Sequence, residues 1–433
     1  MTPLIIGYIG VLVLVILLFS GIHIGVVMGM IGFLGIASIS GWDSGFVVLK
    51  TVPFTTFANY GMSVVPLFIL MGAFCFYSGI SKELYDCVHK WLGQLRGGLA
   101  MATVGACALF AAVSGSSLAT AATMGSVALP EMKRYRYDPA LATGCIAAGG
   151  TMGILIPPSI PLVIYGILTS ESIGKLLMAG IIPGILEAVF YIITIHILCL
   201  WRPSLGPPGP KSSLIEKVAS LKAIWAVVVL FTLVIGGIYF GFFSPTEAAG
   251  VGSCGAFVFA LVRKHLSWRN FQESLTSSIK TTAMIFAILL GAMILGYFFA
   301  VTRLPFELAS FIGGLPVNRY VILILILIVY LILGCIMDSL AMILLTVPIF
   351  YPLIKTLGFD PIWFGIIVVR AMEIGMITPP VGMNVFIIKG IAQDVPMYTI
   401  FRGAVPFLIA DLCHVTLLIL VPQLATFLPG LMR

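Results

Sequence analysis

Polar and helix-breaking residues gather at two places in this 433-residue chain where the surrounding sequence is apolar. In the first, Ser114-Gly115-Ser116-Ser117 interrupts one apolar run, and Gly149-Gly150-Thr151-Met152-Gly153 with Pro157-Pro158 interrupts the next. In the second, a break from Gly334 to Ser339 is followed by Gly375 and Pro379-Pro380. Hydroxyls and freed backbone amides and carbonyls are ligand-binding groups. In hydrocarbon each unpaired backbone group costs roughly several kcal/mol, so a broken helix persists only where protein, water or a ligand satisfies it. Two breaks in succession therefore point to a binding site.

The class of the chain follows from composition. With 60% hydrophobic and 9% charged residues, a soluble fold has nowhere to place the apolar surface, and the reading is an all-α polytopic protein in a lipid bilayer. The first apolar run, 4–19, lacks a basic leading segment and is followed at once by another, so it is expected to remain as the first span. The net charge of +7 is spread through short loops, which argues against nucleic acid as a partner. The eight cysteines (75, 87, 107, 145, 199, 254, 335 and 413) include no C-x-x-C pair and read as small buried residues.

The elements that position the breaks can be taken in order. Apolar runs near 3–20, 22–40 and 60–80 each approach the ~20 residues of a spanning helix. Between the second and third, residues 41–58 are mixed, with Trp42 and Lys50, and suit the membrane interface. Residues 97–132 form two short arms around the Ser-Gly-Ser-Ser cluster and are read as a re-entrant helical hairpin. A broken helix at 139–167 and a span at 176–200 close a first repeat covering 1–200. The polar, Pro-rich stretch 201–222 reads as a cytoplasmic linker. A second repeat, 223–433, holds spans at 223–241, 247–262 and 281–302, a mixed segment at 303–318, a hairpin at 319–356, a broken helix at 361–390 and a last apolar run from 398.

Sliding the second half on the first at one offset of 222 residues aligns Ser117-Leu118-Ala119 with Ser339-Leu340-Ala341 and Pro130 with Pro352. The same register aligns Asp138-Pro139 with Asp360-Pro361, Gly153 with Gly375, and Pro157-Pro158 with Pro379-Pro380. Breakers and acidic residues are scarce in such a chain, so their joint recurrence indicates a repeat. With each hairpin counted as no crossing, the copies are separated by an odd number of spans and are inverted, a plan used by secondary transporters. Charge placement agrees. Lys82, Lys90, Arg96, Lys133, Arg134, Arg136, Arg202, Lys211, Lys217, Lys222, Arg263, Lys264, Arg269, Lys280, Lys389 and Arg402 fall on one side, the cytoplasmic one. Lys50, Lys175, Arg303, Arg319, Lys355 and Arg433 fall on the other.

The stretches SGSSLATAATMGSVALPEM, GTMGILIPPSIPLVIYG and EIGMITPPVGMNVFIIKGIA closely resemble the DctM-like large membrane subunit of TRAP (tripartite ATP-independent periplasmic) transporters, over essentially the whole chain. The resemblance implies an elevator fold of the ion-transporter-superfamily kind, in a bacterial or archaeal cytoplasmic (inner) membrane. It implies symport of an organic acid, a carboxylate, with Na+ as coupling ion and no other cofactor. Its implied partners are a small DctQ-like membrane subunit and a DctP-like periplasmic substrate-binding protein. The chain begins at its first large-subunit span, so the small subunit is expected as a separate polypeptide. On this reading Ser116, Ser117, Thr151, Pro158 and Ser159 with Asp338, Ser339, Thr378 and Asn384 line the substrate site. The Na+ candidates are Ser114, Gly115, Ser117, Gly150, Thr151 and Gly153 at one break pair, and Gly334, Asp338, Glu373, Gly375 and Thr378 at the other. Carbonyls and hydroxyls are hard oxygen ligands, and half-helix N-termini offer amides to an anion.

Plainer readings stand beside these. Ser and Gly also serve close helix approach in membranes, and Asp338 is both an intramembrane carboxylate, a functional candidate by default, and a possible helix cap. Arg370 and Glu373, three residues apart, are expected to neutralise each other. His23, His196 and His414 read as satisfied interior residues. An intramembrane enzyme is disfavoured: the chain lacks H-E-x-x-H and G-x-S-x-G, and an enzyme gives no reason for the inverted repeat. A stand-alone ion-coupled carboxylate transporter, working without a binding protein, is the alternative. The inverted topology is testable directly. In a cysteine-free background, a cysteine at Lys133 is expected to react with impermeant thiol reagent only from the cytoplasmic side and one at Lys355 only from the periplasmic side; labelling of both from one face refutes it.

Overall fold

The computed structural model describes every residue except Met1, Phe19, Lys211, His265, Leu315 and Arg433. Phe19 of the first run, Lys211 of the linker, Leu315 of the mixed segment and Arg433 of the charge count thus lie outside the described residues. Among those described the chain is all helical, without strands.

The first half contributes α1 (Pro3–Leu18), α2 (Ile24–Ser40), α3 (Trp42–Phe57), α4 (Val64–Tyr77), α5 (Ile80–Leu92), α6 (Gly98–Ser114), α7 (Ser117–Arg134), α8 (Pro139–Thr151), α9 (Ile160–Thr169) and α10 (Ile173–Trp201). The second contributes α11 (Leu214–Phe231), α12 (Gly237–Tyr239), α13 (Pro245–Val262), α14 (Trp268–Thr302), α15 (Leu304–Gly313), α16 (Arg319–Gly334), α17 (Ser339–Thr356), α18 (Pro361–Met376), α19 (Met383–Ile391), α20 (Met397–Leu420) and α21 (Gln423–Leu431). Among the described residues seven helical stretches are long and apolar enough to cross a membrane by length and composition, and the chain is a multi-pass membrane protein.

The register read from sequence recurs in the elements. α7 and α17 start 222 residues apart and each runs 18 residues; α8 and α18 start at the matching prolines. Local chemistry explains the starts. Ser116 accepts from Ala119 N at 3.3 Å and Asp338 from Ala341 N at 3.2 Å, so the residues at matching tips cap matching helices. Asp138 and Asp360 cap α8 and α18, each followed by Pro at the first helical position. The bonds Pro157-Pro158 and Pro379-Pro380 are both cis.

Several boundaries differ from the sequence reading. α14 is 35 residues long, roughly 50 Å at 1.5 Å per residue, and so begins at Trp268 and not near 281. The extra length is an amphipathic arm that apolar-run counting passes over. The hairpin arms reach 17 and 18 residues in one pair and 16 and 18 in the other, and α17 is long and apolar enough to count as a span by itself. The mixed segments are helices, α3 and α15. The Pro-rich stretch is irregular only in its first part: Ser213 and Glu216 form a capping box that starts α11 within it. Its remainder is strapped to the first hairpin's mouth, with Gly97 N donating to Gly206 O at 2.8 Å and Asp138 N to Leu205 O at 3.0 Å. Cys254 and Cys413 are exposed, unlike the other six cysteines. His23 and His196 are exposed too, so neither is an interior residue; only His414 is buried.

Two sets of helices can be distinguished by their packing. α14 lies along α2 and α4, with α13 on α4 and α11 on α5. Both hairpins, both broken helices, α10 and α20 pack largely with one another, while α5 against α6 and α15 against α17 join the two sets. Small residues bring backbones together in each set. A Cβ on Gly403 of α20 would lie 1.9 Å from Ala140 O of α8, and one on Gly291 of α14 would lie 2.0 Å from Gly25 O of α2. Gly403→Leu is therefore expected to lower the melting temperature in detergent by forcing α8 from α20, an overpacking cost of at least about 1–3 kcal/mol. Gly250→Leu, where an added Cβ would meet no neighbouring element within 4 Å, should leave it unchanged. Equal melting temperatures for both variants would contradict this packing.

Candidate transport site

The first hairpin turns at Gly115, which has a left-handed backbone, φ 62°. Ser114 Oγ and Thr120 Oγ1 lie 2.8 Å apart, and Thr120 Oγ1 donates to Ser116 O at 2.8 Å, so the tip's hydroxyls are knit to its own backbone. The tip rests on the broken end of α8. A Cβ on Gly153 would lie 2.5 Å from Ser116 O, one on Gly150 would lie 2.7 Å from Ala121 Cβ, and one on Gly115 would lie 2.8 Å from Pro158 O. These glycines permit backbone against backbone where helices are interrupted.

The second break pair is built alike. Gly334 and Gly375 touch, a Cβ on the latter falling 2.6 Å from Gly334 Cα, and Gly382 N donates to Cys335 O at 3.2 Å. Ser339 Oγ lies 3.0 Å from Glu373 Oε1 and 3.1 Å from Met376 Sδ; its one proton goes to the carboxylate, the stronger acceptor. From the other hairpin, Ser117 Oγ reaches the same Met376 Sδ at 3.7 Å. The two tips meet at this methionine.

Between the tips is a cavity of about 200 Å³. Gly115, Ser116, Ser117 and Leu118 line it from one hairpin, Asp338, Ser339 and Leu340 from the other, and Ile160 and Pro161 from the start of α9. Thr281, Met284 and Ile285 of α14 close it. The first turns of α7, α9 and α17 thus converge on one space. Each brings a partial positive charge of about half a unit at its N-terminus, with one first-turn amide of each capped by Ser116, Ser159 or Asp338.

Not every substrate candidate faces this cavity. Ser116, Ser117, Asp338 and Ser339 do. Ser159 is buried and caps α9, Pro158 is buried behind Gly115, and Asn384 is buried with Nδ2 donating to Ala147 O at 3.2 Å. The Thr378 hydroxyl turns back to Ile374 O at 2.6 Å. Thr151 faces away, with Oγ1 2.9 Å from Glu187 Oε1 and 3.1 Å from Tyr191 OH. Of the Na+ candidates, Ser114, Gly115, Ser117, Gly150 and Gly153 gather at the first break, and Gly334, Asp338, Glu373 and Gly375 at the second. Among the described residues no three His, Cys, Asp or Glu side chains are grouped as a metal site.

Arg370 and Glu373 do not pair. Arg370 Nη1 donates to Glu187 Oε1 at 2.7 Å, Nη2 to Asp411, and Nε to His414 Nδ1 at 3.2 Å, all fully buried. Two carboxylates from α10 and α20 claim the planar donor fork, and Glu373 is left to the second hairpin. Glu187, Tyr191 and Asp411 escaped the sequence reading. The available signal was a lone carboxylate in each of two apolar runs, which carries the same default weight that was given to Asp338.

A cavity lined by two helix breaks and three half-helix N-termini, inside a multi-pass helical bundle, defines the secondary-transporter class. Residues 11–424 match the family described as "Tripartite ATP-independent periplasmic transporter, DctM component", and the chain belongs to that family. It is 39% identical over 379 residues to the C4-dicarboxylate TRAP transporter large permease protein DctM of Pseudomonas aeruginosa, covering 87% of this chain and 88% of the relative. It is 34% identical to the sialic acid TRAP transporter large permease protein SiaM of Vibrio cholerae, over 86% and 87% of the two chains. It is 32% identical to the isethionate TRAP transporter permease protein DctMQ of Oleidesulfovibrio alaskensis, covering 99% of this chain and 66% of that relative. The fold is shared with the YdaH transporter of Alcanivorax borkumensis, with TM-score 0.64, 16% identity and 90% of each chain covered.

The charged cluster yields a stability test. Arg370→Ala leaves Glu187 and Asp411 buried without their cation and is expected to cost about 3–5 kcal/mol, read as a large fall in melting temperature and membrane yield. Glu373→Gln, outside any ion pair, should stay close to wild type in both. An Arg370→Ala protein as stable as wild type would show that the pairing is not what holds α10, α18 and α20 together.

Proposed function

We propose that this chain is the membrane subunit that carries an organic carboxylate into the cell with Na+, after delivery by a periplasmic binding protein and beside a small membrane subunit. The observation that carries this reading is the convergence of three helix N-termini on the cavity between the hairpin tips, an anion-binding arrangement. Its volume of about 200 Å³ suits a small acid. C4-dicarboxylate and sialic acid, named for two of its relatives, are both carboxylates. The DctMQ relative, of which this chain spans 66%, supports a small subunit as partner.

Na+ fits the break pairs because hydroxyl and freed carbonyl oxygens are hard ligands and Asp338 brings a carboxylate to one tip. Both hairpins enter from opposite faces of the bacterial or archaeal inner membrane, so the repeats are inverted. Since hairpins, broken helices, α10 and α20 pack largely with one another, they move as one body against α2, α4, α13 and α14, in an elevator. The transport body then carries the cavity past the stationary face of α14.

Proteoliposomes holding this chain and its small subunit, supplied with loaded binding protein, provide the test. Uptake should need Na+ and fall at least about tenfold in Ser117→Ala/Ser339→Ala, on the scale of losing charge-assisted hydrogen bonds. Uptake unchanged with choline in place of Na+ under a proton gradient would reject Na+ coupling. Unchanged uptake and affinity in the double variant would reject the placement of the site, and full activity without the binding protein would favour the stand-alone alternative.

A further inference from the structure

The cavity between the tips adjoins a second space, and that space adjoins a third, each neighbouring pair sharing wall residues. Ser116, Ile160 and Thr281 also line a space of about 280 Å³ walled by Ile69, Gly72, Phe76 and Tyr77 of α4. Tyr77 and Ser277 in turn line a vestibule of about 440 Å³ with Arg269, Glu273, Thr276 and Lys280. The three spaces follow one another from the tip cavity toward the start of α14, the end that charge placement puts in the cytoplasm.

One side of this series of spaces is a single polar face of α14. Glu273, Thr276, Ser277, Lys280 and Thr281 recur at intervals of three and four residues and so lie along one stripe of the helix. Charge along it is uneven. Arg269 Nε donates to Glu273 Oε1 at 2.8 Å, so these two neutralise each other. Lys280 is exposed and makes no ion pair among the described residues, which leaves it as the net charge of the vestibule, next to Thr281 at the wall of the binding cavity.

We propose that the polar face of α14 is the path by which the carboxylate leaves the tip cavity for the cytoplasm, and that Lys280 draws the anion along it. This rests on the carboxylate reading given above. An uncompensated cation in a walled groove raises the local concentration of an anion and speeds its passage. The hydroxyls of Thr281, Ser277 and Thr276 are spaced to hand a carboxylate from one hydrogen-bond donor to the next. Lys280 lines the vestibule and not the tip cavity, so it acts on release and not on capture from the binding protein.

The test uses this chain with its small subunit in proteoliposomes, binding protein outside, and radiolabelled succinate and N-acetylneuraminate as probes. Lys280→Glu is expected to lower the maximal uptake rate about tenfold, with KM for loaded binding protein unchanged and the loss shrinking as internal salt rises. Lys280→Arg should restore the rate to within about twofold, since charge and not shape is required. Lys280→Glu at the wild-type rate in low internal salt overturns the proposal. A cysteine replacing Ser277 in a cysteine-free background gives a second readout that does not depend on that variant's folding. It should label from the cytoplasmic side and be protected by the transported probe; labelling only from outside, or without protection, also overturns the proposal. Wild-type uptake of neither probe would instead reject the carboxylate reading itself.

Discussion

Inside a membrane a backbone amide or carbonyl without a partner is too costly to leave, and this requirement shapes the whole molecule. The chain interrupts four helices within its apolar bulk, at 115–116, 152–159, 335–338 and 377–382. Each interruption is covered by another. The tip at Ser116 sits on Gly153, and the tip at Cys335 accepts from Gly382 N. The glycines at these contacts are what let one broken backbone serve as the surroundings of the next. Removing the freed groups from lipid also places them around a common space. The cavity between the tips is thus a consequence of how the breaks are sheltered.

Ionic groups obey the same constraint more severely. Arg370, Glu187 and Asp411 are fully buried, and none of them would be tolerated alone. Their bonds join α18, α10 and α20, while Thr151 ties in α8 through Glu187. Glu373, one turn from Arg370, belongs instead to the tip through Ser339. Two neighbouring ionisable residues on one helix therefore have separate tasks: one binds helices into a body, and the other holds the tip of the second hairpin through Ser339. Spacing along a single helix could not reveal this, because the deciding partners come from α10 and α20.

What could be read from the sequence follows from the same physics. The breaks, their register and the capping residues were legible, because Gly, Pro, Ser and Asp are rare enough in apolar sequence to stand out. Ser116, Ser117, Asp338 and Ser339 were accordingly placed at the cavity. Thr151, Thr378 and Asn384 were harder, since proximity to a break does not fix where a hydroxyl or amide points; Thr378 returns to Ile374 O and Asn384 crosses to Ala147 O. The wall formed by α14 was invisible for another reason. Its polar stripe lies in an arm that begins before the apolar run, and its role depends on long-range packing against the tips.

The repeat makes the two halves alike in geometry and unlike in charge. Ser116 and Asp338 occupy the same register position, cap equivalent helices and line the same cavity. One is neutral and the other a carboxylate, so the cavity has a hydroxyl wall opposite an acidic one. Three helix N-termini attract an anion to this space, and Asp338 repels it from one side of that space. On the function proposed above, an anionic group is directed toward Ser116 and Ser117, and a cation toward the carboxylate of Asp338. A symmetric backbone with one unsymmetric substitution is enough to give a small site two chemically distinct ends.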